Sequence, residues 1–339
     1  PTGRAEITEH LLRASSPGAI KVPIWGDDPT DEAIVRGDAG LNQLLRITHD
    51  LEIPVVGILA APPRSLALQE SGPNRTLAEV LSSPAEEWRP YLALPLARYG
   101  RQVAAWQVGG DGEGPSAEGS RLPQAIAGIR AELRTLLGVP ILVAPVHAEM
   151  RVPIPRVVDI VSVTVPWHIA AGRLAELLAD PANSSDHRWV SLLSPPPDRY
   201  PRRARLAELG RRLIVARGSG AERVFVPQPW SIETNDARIV VEPAEEIILL
   251  RTLAQTLDGL TPRSAFWLDH GAQAWSFDDE TSGRAIIAAW TDGDESGPRR
   301  IVADLGTEAR QIDLWGNAAA PPTVQAGREI AIEAMPVLI

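Results

Sequence analysis

The stretch Val103-Ala104-Ala105-Trp106-Gln107-Val108-Gly109-Gly110-Asp111-Gly112-Glu113-Gly114 decides how this chain is read. Val103 to Val108 is a short apolar run and reads as a buried strand. It stops abruptly at two glycines and releases two carboxylates, Asp111 and Glu113. In barrels of alternating strands and helices, chemistry collects where strands hand over to loops. This handover is therefore the leading site candidate.

The same alternation extends in both directions. Upstream, residues 6–14 read as a short helix, Ala19–Ile24 as a strand, Ala39–Leu51 as a helix and Ile53–Ala60 as a strand. Leu77–Leu81 and Pro84–Tyr99 are helical, the second ending at Gly100. Downstream, helix Leu122–Leu137 precedes strand Val139–Pro145, and the β-branched run Val157–Val165 precedes helix Ala170–Leu178. Strand Arg188–Leu193, helix Arg202–Val215, strand Glu222–Val226 and helix Ala244–Leu257 complete the series. Seven strand-then-helix units with continuous apolar strands predict a parallel sheet covered on both faces. Two architectures fit: an open doubly wound sheet, or a (β/α)8 barrel whose first strand lies before Pro1. No Gly-rich phosphate fingerprint follows the first strand, so a nucleotide-binding sheet has little support.

After Gly259 the pattern changes. Ala265–Leu268, Gln273–Phe277, Ala285–Trp290, Arg300–Leu305, Ala309–Leu314 and Glu329–Leu338 are short strands separated by turns such as Trp315-Gly316-Asn317. This spacing predicts a small antiparallel β domain. The expected division is a barrel over residues 1–260 and a β-sandwich over 261–339.

Composition narrows the partners. The 339 residues are 44% hydrophobic, enough for a sizeable core, and carry a net charge of −10. That charge repels phosphate backbones and argues against nucleic acid. No run approaches the ~18 apolar residues of a membrane span. The absence of cysteine excludes thiolate chemistry, disulfides and cysteine metal sites. The start at Pro1, without an initiator Met or a signal segment, predicts a piece of a longer protein with other domains as neighbours.

Four places carry a resemblance. Ile53–Leu59 with Pro62-Pro63, the run Tyr99–Gly109, the helix and strand from Arg205 to Val226, and the tail with Asp313-Leu314-Trp315-Gly316-Asn317 together resemble the clan of (β/α)8-barrel glycoside hydrolases with one catalytic Glu after strand four and another after strand seven. The resemblance spans nearly the whole chain. It implies a TIM barrel followed by a small antiparallel β domain, a carbohydrate ligand, and no cofactor or metal. It also locates two departures. The Asn-Glu pair after the fourth strand is here Gly110-Asp111, so Asp111 holds the acid/base position with a side chain one methylene shorter. After Trp189-Val190-Ser191 the nucleophile position reads Leu192, and the next carboxylate is Asp198, beyond three prolines.

Glycoside hydrolysis needs two carboxyls, ~5–5.5 Å apart for retention or ~6.5–9.5 Å for inversion. Leu192 serves neither. The expected function is therefore a catalytically impaired, carbohydrate-binding or structural barrel. The alternative is an active glycosidase with a relocated pair that includes Asp111 or Glu113. His147 and Glu149 follow a strand and could pair in a pocket. Ten Trp against three Phe and three Tyr is an unusual balance. Trp25, Trp167 and Trp230 each follow a strand, where a flat ring with a polar N–H suits stacking on a sugar. His168 and Gln228 are the adjacent polar groups expected to bind substrate. Trp88 and Trp189 are expected in the core, and Trp267, Trp275, Trp290 and Trp315 in the β domain's core or seam. Arg202-Arg203 and Arg211-Arg212 read as a solvated helix face.

Overall fold

A computed structural model describes residues 2–25, 31–68, 74–111, 122–149, 158–180, 187–235, 238–268, 271–291 and 297–339. The chain forms two compact units. The first holds Pro1–His10, Pro17–Thr164 and Asp180–Ser191; the second holds Leu11–Ser16, Val165–Ala179 and Leu192–Ile339.

The parallel strands are β1 (Ile20–Pro23), β2 (Val55–Leu59), β3 (Val103–Val108), β4 (Leu142–His147), β5 (Ile160–Val165), β6 (Arg188–Leu192) and β7 (Arg223–Phe225). They join in strict chain order into one seven-stranded sheet. The helices between them are α1 (Thr2–Ser15), α2 (Asp31–Asp50), α3 (Arg64–Ala67), α4 (Leu77–Leu81), α5 (Ala85–Tyr99), α6 (Leu122–Leu137), α7 (Ala171–Ala179) and α8 (Arg202–Gly218). The expected seven strands are thus all present. The sheet is curled, a half-barrel, and one side chain proves the curvature. Lys21 on β1 hydrogen-bonds Ser162 on β5 and Ser191 on β6. In a flat sheet β1 and β6 would stand about 24 Å apart, at ~4.8 Å per strand, far beyond the reach of a lysine.

The outer face of the first unit is sealed by helices. On α6 the apolar positions recur at helical spacing, and Ala125, Ile126, Ile129 and Leu133 are fully buried. They pack with Trp88, Leu92, Leu96 and Tyr99 of α5 over Trp106, Val108, Leu142 and Ala144 of the sheet. Each large side chain buried this way contributes roughly 1.5–3 kcal/mol. Gly100, at the end of α5, sits where a Cβ would lie 2.2 Å from Leu137, so the α5–α6 contact needs a glycine there.

In the second unit, β8 (Trp230–Asn235) and β9 (Arg238–Pro243) form an antiparallel hairpin, then α9 (Glu246–Leu257) follows. The hairpin is an addition to the sequence reading. Its signal is a pair of alternating runs around Asn235-Asp236. Next come β10 (Thr261–Leu268), β11 (Ala272–Asp279), β12 (Arg284–Thr291), β13 (Arg299–Ala303), β14 (Gln311–Asp313), β15 (Ala318–Ala319), β16 (Thr323–Val324), β17 (Gly327–Ile332) and β18 (Val337–Leu338). They build an antiparallel six-stranded sheet, β10-β11-β12-β18-β14-β15, and a three-stranded sheet, β13-β17-β16. Ala274, Ala289, Ile301, Ile330, Ile332 and Val337 from both sheets share one core.

The tryptophans divide differently from expectation. Trp88, Trp189 and Trp290 are buried, at 1%, 4% and 0% exposure. Trp275 packs on α8, where a Cβ at Gly218 would lie 2.1 Å from its ring. Trp267 and Trp315, expected inside, are exposed at 66% and 39%. Trp267 lies on the edge strand β10, most of whose residues are exposed.

Arg211 and Arg212 also depart from expectation. Arg212 is fully buried and donates to the carbonyls of Leu193 (2.9 Å), Val165 (3.1 Å) and Pro166 (3.0 Å). Burial pushes its guanidinium down to about 10, with Glu208 opposing the shift. Arg211 is half-buried and donates to the carbonyls of Ala334 and Thr291. An Arg on a polar-looking helix face is here a clamp on the carbonyls at the ends of β5 and β6, of which Val165 and Pro166 also accept from the Leu193 and Ile169 N–H groups. Arg202 and Arg203 are exposed and pair with Glu245 and Glu333.

Candidate functional site

Register defines the inner face of the sheet. Lys21 is opposite Val56, Val56 opposite Ala105, and Gln107 opposite Val143. Pro145 is opposite Ser162, and His147 opposite Thr164. Side chains alternate along a strand, so Lys21, Gln107, His147, Ser162 and Thr164 project from one face. Apolar strands carrying inward polar residues are the mark of a site.

These residues converge on Asp111. Gly109, with φ +110°, turns the chain out of β3 in a conformation that favours glycine, and a Cβ there would meet Pro145 at 2.9 Å. The Gln107 amide spans that turn, donating through Nε2 to the Gly109 carbonyl and to Asp111 Oδ1, both at 2.9 Å. Lys21 Nζ donates to the same Oδ1 at 2.7 Å. It also donates to Ser191 Oγ at 2.7 Å and to Ser162 Oγ at 3.1 Å, and the two hydroxyls lie 3.2 Å apart. Lys21 is 7% exposed and Asp111 24%. Burial lowers the Lys21 ammonium from its ordinary value, while the charge and hydrogen bond of Asp111 pull the other way.

Lys21 is the residue that the sequence reading missed, and its signal is numerical. The 33 basic residues are 32 arginines and one lysine. Everywhere else this chain uses arginine for positive charge. A guanidinium is a flat fork suited to carboxylates and carbonyl pairs, whereas an ammonium is a compact charge with three tetrahedral donors. Three oxygens around one point, from Asp111, Ser162 and Ser191, call for the ammonium.

The geometry also reorients the end of β6. Ser191 points inward to Lys21, so by alternation Leu192 turns to the outer face, where it is buried at 1% exposure. The inward position at this height is a serine.

The other sequence candidates fall as follows. Glu113 lies outside the described residues. Trp25 is half-buried against the first unit's core, and its indole N–H is buried without a partner among the described residues. His147 is half-buried; Glu149 is exposed, and its backbone N–H reaches His147 Nδ1 at 3.4 Å. In the second unit, Trp167 stands edge-on to His168 (5.5 Å) and Tyr200 (5.7 Å), with the Arg199 guanidinium 5.5 Å over its ring. Trp167, His168, Tyr200, Glu208, Arg211 and Met335 are among the residues around a cleft of about 290 Å³. Gln228 is exposed and donates to the Trp230 carbonyl at 2.8 Å, while Trp230 is half-buried at the start of β8. Among the described residues, no three His, Asp or Glu side chains gather as a metal site would require.

No sequence profile of a known protein family matches this chain, and no curated protein matches it by sequence. Solved structures match its fold. A family 39 glycoside hydrolase from the gut symbiont Bacteroides cellulosilyticus WH2 superposes with a TM-score of 0.70 at 12% identity, over 98% of this chain and 76% of the other. The family 30 subfamily 8 xylanase Xyn30A from Clostridium acetobutylicum gives 0.60 at 10% identity, over 97% and 90%. An alpha-L-fucosidase GH29 from Bacteroides thetaiotaomicron gives 0.56 at 12% identity, over 98% and 80%. At such identities the likeness speaks for architecture alone. The curled parallel sheet with its antiparallel β sheets is a glycoside-hydrolase-like fold.

Proposed function

We propose that this chain is a carbohydrate-binding (β/α)8-type barrel, residues 1–260, with a small β domain, residues 261–339, and that it does not hydrolyse glycosides by the two-carboxylate route. One observation carries the reading. Asp111, at the acid/base position implied by the resemblance, accepts hydrogen bonds from Lys21 Nζ and Gln107 Nε2 on a single oxygen. A general acid must present a proton to the leaving oxygen. Asp111 Oδ1 instead receives two. The same lysine reaches Ser191, at the strand end where the resemblance implies a nucleophilic Glu. A second carboxylate is the other requirement of the mechanism, and the inward group there is a hydroxyl.

Binding is supported by the aromatic and polar groups near strand ends. Trp25, Trp167, His168, Gln228 and Trp230 are the proposed contacts, with Tyr200 beside Trp167. A glycan array followed by calorimetry on the hits tests binding, and a panel of chromogenic glycosides tests turnover. The expected result is binding without product release. Turnover that Asp111→Asn abolishes would overturn the reading and restore Asp111, or the neighbouring Glu113, as a working acid.

A further inference from the structure

We infer that Lys21 is an amine nucleophile that captures a small hydroxylated aldehyde, such as the open-chain form of a short sugar, as a Schiff base on the inner face of the sheet. The chain meets every other need for positive charge with arginine. Arginine supplies charge but no nucleophilic amine, because its guanidinium stays protonated in proteins. The one lysine stands on the concave face, with a carboxylate at 2.7 Å and hydroxyls at 2.7 and 3.1 Å. Asp111 is the more exposed partner, so solvent reaches the cluster past its carboxylate.

Two further atoms describe the ligand. Gln107 Oε1 and Thr164 Oγ1 are buried and have no hydrogen-bond partner among the described residues. Both residues project from the same face as Lys21. Thr164 is two residues beyond Ser162, about 7 Å along β5. An unsatisfied buried acceptor is costly unless something supplies a donor. Sugar hydroxyls supply such donors. An aldehyde carbon beside one or two hydroxyl-bearing carbons spans this distance.

The chemistry balances with the groups present. Asp111 takes one proton from the ammonium, leaving a neutral amine. Nζ attacks the carbonyl carbon, the C=O π bond breaks, and a proton passes from nitrogen to oxygen to give a carbinolamine. Asp111 gives its proton up to solvent, the carbinolamine hydroxyl takes one from solvent and leaves as water, and the nitrogen lone pair forms the C=N bond of a protonated Schiff base. Burial, which lowers the ammonium, makes the neutral amine more available near neutral pH than on a solvated lysine. The inference rests on this cluster alone, so failure of glycan binding would leave its test unaffected.

The test is reductive trapping of the native protein with glycolaldehyde and sodium cyanoborohydride at pH 7, read by peptide mapping. A solvated model peptide with one lysine is mixed in as the rate reference. The expected result is alkylation of Lys21 faster than of the reference lysine in the same tube, the direction that a buried, lowered ammonium gives. Lys21→Arg is expected to leave only the N-terminal adduct. If Lys21→Arg does not fold, the wild-type rate at Lys21 against the reference peptide still decides. Urea-unfolded protein checks that an adduct at Lys21 is detectable. An unlabelled Lys21 in native protein, or labelling no faster than the reference, overturns the inference.

Discussion

Replacing Lys21 by methionine should cost about 3 kcal/mol of stability. The substitution keeps an unbranched side chain, one atom shorter, and removes its charge. Asp111 then loses its cation at 2.7 Å, and Ser162 and Ser191 keep each other at 3.2 Å. Breaking a buried pair by removing one partner costs roughly 3–5 kcal/mol, most of it the stranded charge. Asp111 is 24% exposed, so water re-solvates part of it and the low end of that range applies. Removing the stranded carboxylate as well should reverse the loss. Lys21→Met with Asp111→Leu is expected within ~1 kcal/mol of wild type, since an apolar pair of similar volume is often as stable as the ions. Urea unfolding followed by tryptophan fluorescence reads this, because Trp25, Trp88, Trp106 and Trp189 report on the first unit. A Lys21→Met protein within ~0.5 kcal/mol of wild type, the range of an ordinary surface change, would refute the reasoning.

Arg212→Met should cost roughly 1–3 kcal/mol, because it leaves the Leu193 carbonyl without its donor, while Val165 and Pro166 keep their backbone N–H partners; a urea midpoint equal to wild type would count against that clamp. Gly218→Ala should lose roughly 2 kcal/mol by driving a methyl into Trp275, and a thermal scan with an unchanged midpoint would contradict the close packing. Trp167→Ala should weaken glycan binding about tenfold in calorimetry while leaving the fold intact, the loss of one stacking ring. The Lys21 ammonium is lowered in the folded state, so in the alkaline window below 10.5 the unfolded chain binds more protons. Stability relative to Lys21→Met should therefore rise with pH through that window, and a flat or falling difference would be the wrong sign.

The strand–helix series was legible because its elements are local. Continuous apolar strands such as Ile160–Val165 and the helical stripe of α6 announce themselves in any window. The β8–β9 hairpin was passed over because its strands follow Pro229 and run straight into the acidic start of α9. The Lys21 cluster was hidden for a different reason. Residues 21, 107, 111, 162 and 191 come from four strands, and only the curl of the sheet brings them together. Asp111 was visible as an acid beside glycines, but its partner was 90 positions away. Arg212 misled in the same manner: the pairs Arg202-Arg203 and Arg211-Arg212 on one helix look solvated until the strand-end carbonyls beside Arg212 are placed. At the end of β6, the sequence pointed to Leu192, whereas alternation turns Ser191 inward and makes the serine the residue that matters.

A single lysine allows a direct test of the central pairing. Protein labelled with ¹⁵N on the lysine side chain carries one Nζ resonance, that of Lys21. If the ammonium is buried and bound to Asp111, Ser162 and Ser191, its protons exchange slowly and its signal is visible near neutral pH. Its titration falls below 10.5, and both properties change in Asp111→Asn. A fast-exchanging nitrogen that titrates as a solvated lysine and ignores Asp111→Asn would contradict the account.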